Sequence, residues 1–104
     1  MSKRNPYRDL IRILNEAVEQ AAHGKGKERH ACDRPFDRQP IMEIQRLLGS
    51  NHFALGQAIK KAQESTRLPK ERAKHELIGA IVYLSAAILH LEEQPSTTIE
   101  EDQL

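Results

Sequence analysis

Lys25, Lys27, Arg29 and His30 fall within six consecutive positions, interrupted and preceded by Gly26 and Gly24. Lysine, arginine and histidine donate charge-assisted hydrogen bonds to oxyanions, and glycines let backbone amides turn toward the same group. This is the chemistry of phosphate binding. A triphosphate P-loop is excluded, because the closing Gly-Lys-Ser/Thr and its preceding strand are missing. Arg34 and Arg38 extend the basic character, and Phe36 between them could stack on a base or anchor the segment. The competing reading is a solvated linker. Against it stands length: about sixteen residues without secondary structure of their own are unusual inside a compact domain and are more often functional or disordered.

A second set lies later in the chain. Glu76, Tyr83 and His90 are seven residues apart, so on a helix they share nearly one line, among Gly79, Ala80, Ala86 and Ala87. A carboxylate, a phenol and an imidazole along a groove of small residues could orient a ligand or exchange protons. Equally, they could satisfy neighbouring helices as buried polar contacts. Arg46, Lys60 and Lys61 are further cations for an anionic ligand.

Metal and nucleophile chemistry find less. Glu16 and Glu19 form an E-x-x-E pair that resembles one half of the site of the all-helical nucleotide pyrophosphohydrolases, which hold magnesium by acidic pairs on two helices. The second pair is missing here, and Glu16 and Glu19 fall opposite the apolar side of their helix, as a solvated face would. No histidine precedes an aspartate, and Cys32 near His30 lacks zinc-ligand spacing. No catalytic residue, metal or cofactor is therefore expected.

The elements that must position these groups are helical. Asn5-Pro6 is a helix start, and Leu10, Ile11, Ile13, Leu14, Ala17, Val18 and Ala21 follow at helical spacing to about His23, with Gly24 as terminator. Pro40 opens a short second helix that Gly49 ends. Ser50 or Asn51 caps a third, whose buried side should carry Leu55, Ala58, Ile59 and Ala62. A fourth runs from near Pro69 to about Glu93. Along it, Leu77, Ile81, Leu84, Ile88 and Leu91 share one seam, with Ile78, Val82 and Leu89 beside it. So wide an apolar arc either occupies the bundle centre or meets another copy of the chain.

With 104 residues the chain has room for one modest core, and four Phe or Tyr and no Trp leave it to be built from Leu, Ile, Val and Ala. The expected fold is all-α: a bundle of three to four helices over residues 1–93, a long basic loop after helix one, and a disordered acidic tail over 94–104. The net charge of +1 hides an asymmetry, for residues 1–91 hold 16 bases against 10 acids, and the remainder holds only acids. A lone cysteine, no leader and an uncharged run shorter than the roughly 20 residues of a membrane span point to the cytoplasm and to no membrane.

Together, "GKGKERHA", "PFDRQPIMEI", "ALGQAIKKAQES" and "ELIGAIVYLSAA" are similar in style to the small helical accessory proteins of tailed bacteriophages and prophages. That resemblance implies action in an infected bacterial cytoplasm, on nucleotides, nucleotide signals of host defence, or host proteins. The expected function is a non-catalytic, oligomeric binding protein, self-associating through helix four, that holds a phosphorylated small molecule such as a nucleotide. Lys25, Lys27, Arg29 and His30 would bind it, with Arg46, Lys60, Lys61, Glu76, Tyr83 and His90 as further contacts. The alternative is a module that inhibits or modulates a host macromolecule; nucleic acid is a weaker version of it, since aromatic stacking groups are few. A metal-dependent nucleotide hydrolase comes third.

Overall fold

The computed structural model describes residues 5–23 and 34–95. Among them are four α-helices, α1 (Arg8–His23), α2 (Pro40–Leu48), α3 (His52–Ser65) and α4 (Lys70–Glu93), with a short 3-10 turn over Phe36–Arg38 ahead of α2. The protein is a small all-α bundle, as its periodicity predicts. Most of the basic connection (24–33) and all but the first two residues of the acidic tail (96–104) lie outside the described residues.

Local chemistry sets the helix ends. The Asn5 side chain accepts the Tyr7 amide at 2.8 Å, so Pro6 and Tyr7 form a turn and α1 begins two residues later than expected. Pro40 stands in the first turn of α2, where its missing donor costs nothing. Gly49 ends that helix at φ 70°, and its amide returns to the carbonyls of Gln45 and Arg46. At the start of α3 the Asn51 side chain does not cap the helix, but reaches the Ala87 carbonyl on α4 at 3.5 Å.

α4 is the central element: α3 packs on it most extensively, and α1 and α2 also rest on it. Its buried residues are Gly79, Ala80, Ala86, Ala87 and His90. The face of small residues is thus the inner one. Leu77, Leu84, Ile88 and Leu91 of the apolar seam remain 44–61% exposed. α3 matches this with Ala54 and Ala58 inward, whereas Ile59, expected inside, is 69% exposed and Ala62 is also outside. Small side chains on both helices allow close axial approach, and that approach rotates α3 away from the register its larger residues suggest. Gly79 shows how tight the fit is: a Cβ there would stand 3.1 Å from Lys61 Cδ and 3.3 Å from Gln20 Nε2.

Between α2 and α4 sit the largest fully buried side chains, Met42 and Gln45. Gln45 Nε2 donates to the Ala86 carbonyl at 3.0 Å. Met42→Ala should cost about 2–4 kcal/mol, since little else is available to fill the space, lowering the melting temperature by roughly 10 °C or more. The control Leu47→Ala, at an 87% exposed position of the same helix, should stay within about 0.5 kcal/mol of wild type. Thermal denaturation followed by circular dichroism checks both.

Candidate functional site

Of the residues with expected site roles, Lys25, Lys27, Arg29 and His30 lie outside the described residues. The others separate into two groups and one isolated cation. Near the start of α4, Lys61 Nζ donates to Glu76 at 3.3 Å and stands 5.8 Å from the Tyr83 ring centroid. Tyr83 in turn meets Phe53 edge-on, with ring centroids 6.1 Å apart. Near the end of α4, Arg46 grips Glu93 through two parallel hydrogen bonds, Nε to Oε1 at 3.0 Å and a second from its terminal nitrogen. His90 is buried beside Gln94, whose amide lies 3.3 Å from the imidazole Nε2. Lys60 is exposed, and no contact is seen from it.

Glu76, Tyr83 and His90 do share one line of α4, but that line faces α2 and α3. At 1.5 Å per residue Glu76 and His90 are about 21 Å apart, so they cannot touch one small ligand. Glu76 and Tyr83 are taken up by Lys61 and Phe53 of α3, and His90 is buried beside Gln94 at the end of α4 itself, which is the buried-contact reading of the stripe. A cavity of about 230 Å³ does reach the first group, with Gln20, Phe36, Gln39, Lys61, His75 and Tyr83 on its walls. Its one lysine is already neutralised by Glu76.

Electrostatics confirm that the second group is spoken for. The hydrogen bond from Arg46 holds the Glu93 carboxyl below the usual carboxylate range, and Glu93 raises the Arg46 guanidinium in return. Glu16 and Glu19 likewise face solvent, each within reach of a side chain four residues away, the Arg12 guanidinium at 3.4 Å and the His23 imidazole at 3.7 Å. No group of three or more His, Cys, Asp or Glu among the described residues could hold a metal ion.

The remaining feature of the surface is apolar, and of the two placements open to the α4 seam the structure takes the outward one. A groove of about 810 Å³ has Leu14, Val18 and Ala21 of α1 on one wall, Phe36 and Gln39 on the other, and Ile81, Val82, Ser85, Ile88 and Leu89 of α4 along it. Only Arg34 and Glu92 bring charge to it. Beyond the groove, Leu10 and Ile11 of α1 and Leu77, Leu84 and Leu91 of α4 are also exposed. The seam was visible in the sequence; its outward direction was not, because nothing in a pattern of large residues tells that the small ones will face in.

No protein-family model, curated protein or solved structure matches the chain. By length and mean hydropathy α4 could cross a membrane, a test that the central helix of a bundle also passes.

Glu93→Gln tests the Arg46 clamp. A carboxyl whose folded pKa is depressed contributes stability above its unfolded value and loses it as pH falls through the folded value. The variant should therefore melt slightly below wild type at neutral pH. The gap should close as the solution is acidified through the carboxylate range, starting near the ordinary value of 4.5. A gap that persists in acid would assign the loss to packing instead.

Proposed function

We propose that this chain is a non-catalytic interaction protein whose working surface is the apolar face of α1 and α4. One observation carries the reading: the large apolar side chains of both helices, Leu10, Ile11, Leu14, Val18, Leu77, Leu84, Ile88 and Leu91, are 44–63% exposed, around a groove of about 810 Å³. An apolar groove of that kind, with charge only from Arg34 and Glu92, is the mark of a site for another helix. The polar groups fit the same account, because Lys61, Glu76, Arg46 and Glu93 bond one another across helices and are not convergent on an open pocket.

The phosphorylated-ligand reading draws its support from the sequence of the basic connection, and from Lys60 among the described cations. It separates from the interaction reading by experiment. Nucleoside mono-, di- and triphosphates should leave the melting temperature unchanged; a rise of several degrees would transfer the function to a nucleotide site. Anilinonaphthalene sulfonate, a dye that fluoresces on apolar surfaces, should bind dilute protein and lose most of its signal with Val18→Asp, which places a charge on the groove wall. Equal fluorescence from both proteins would remove the α1–α4 face as the working surface. Val18 is 63% exposed, so the substitution should leave the helical spectrum intact.

A further inference from the structure

The outward seam of α4 has a period that identifies its partner. Leu77, Ile81, Leu84, Ile88 and Leu91 follow one another at steps of four, three, four and three residues. That is the heptad spacing of a coiled coil, with Ile at one core position and Leu at the other. The positions flanking the seam, Ile78, Ala80, Ser85 and Ala87, are uncharged. Such a seam inserts its side chains between those of a helix with the same spacing, and a copy of itself supplies that spacing. Resting on the interaction reading above, we infer that α4 pairs with α4 of a second copy of this chain, antiparallel, about a twofold axis near Leu84.

Three observations favour a second copy as the occupant. The residues of this chain outside the described ones contain only Met1, Ala31, Cys32, Ile99 and Leu104 as apolar groups, too few to cover the face. The charges on the seam side are polarised: Lys70 and Lys74 precede it and Glu92 follows it. Antiparallel pairing about Leu84 sets Lys74 of one protomer within about a turn of Glu92 of its partner, and opposes the helix dipoles; parallel pairing would set like charges together. Finally, the large apolar side chains of α1 and α4 that stand at the surface cluster beside one groove, and exposed apolar surface of this kind marks interaction sites. α1 adds to it through Leu14 and Val18, which share the groove with Ile81 and Ile88.

Sedimentation equilibrium of the full chain tests the assignment at tens of micromolar, on the order of the concentrations at which modest interfaces form. The expected mass is twice the 11.9 kDa of one chain. Leu84→Glu should weaken the dimer at least about thirtyfold, the scale of a buried interface hot spot, with its helical spectrum kept because Leu84 faces away from the protomer's own core. Ile59→Glu, at a 69% exposed position of α3, should remain a dimer. Should Leu84→Glu fail to fold, Glu92→Lys must weaken association at low salt and Lys74→Glu with Glu92→Lys must restore it. For orientation, Leu77→Cys and Leu91→Cys proteins, each also carrying Cys32→Ser, should cross-link on oxidation when mixed and not when alone.

A monomeric wild type, or a dimer indifferent to Leu84→Glu, would overturn the pairing, and cross-linking of Leu77→Cys with itself would overturn its direction. These failures differ from failure of the interaction reading. A monomer whose dye binding still vanishes with Val18→Asp keeps the surface and loses only the second copy as occupant.

Discussion

The close contact between small residues on α3 and α4 governs the rest of this molecule. Ala54 and Ala58 are the buried residues of α3, and Gly79, Ala80, Ala86 and Ala87 are among those of α4; side chains so short let helices approach closely. Once α4 turns these small residues inward, its geometry leaves the leucines and isoleucines of the opposite side no place in the interior. The exposed seam is a consequence of the packing and not an oversight in it. Gly79 takes part in the same constraint from another direction, since a Cβ there would crowd the Lys61 stem and the Gln20 amide that lie against the helix.

That arrangement has an energetic cost. Of the buried hydrophobic residues, all but Met42 are alanines, and each alanine removes little more than a methyl group from water, about 0.8 kcal/mol per buried carbon unit. The larger apolar groups, which would contribute about 1.5–3 kcal/mol each when fully buried, are half-buried or exposed among the described residues, apart from Met42. A chain built this way leaves much of its hydrophobic free energy unrealised in the folded bundle. The same partition explains why the apolar face reads as functional: it holds the residues whose burial is worth most.

How much of this the sequence discloses depends on which physical signal each feature leaves. Pro40 and Gly49 delimit α2 because a missing amide donor and a left-handed backbone are properties of single residues. The limits of α4 follow from Pro69 and from the loss of apolar periodicity after Glu93. Which side of α4 faces inward does not follow, because a hydrophobic pattern weights large side chains and is nearly silent on alanine and glycine. Ile59 was misplaced for that reason. Among the candidate site residues, the common line of Glu76, Tyr83 and His90 was legible from their spacing, and Gln94 lies one turn beyond His90 on the same helix, whereas the partners Lys61 and Phe53 depend on how α3 meets α4. Arg46 and Glu93, 47 residues apart, leave no local trace of their pairing.

Those polar partners supply what an alanine interface lacks. Two faces of small residues are smooth, and sliding one helix along the other by a turn changes their contact area little. Hydrogen bonds have no such tolerance, because a donor displaced by a turn, about 5.4 Å, no longer reaches its acceptor. Lys61 to Glu76 ties α3 to the start of α4, Arg46 to Glu93 ties α2 to its end, and Gln45 reaches the Ala86 carbonyl between them. Partly exposed ion pairs of this kind add little stability, but placed at opposite ends of one helix they fix its register against both neighbours. The charged residues that looked like a dispersed ligand site thus hold α4 in the one position that keeps its small face inside and its heptad seam outside.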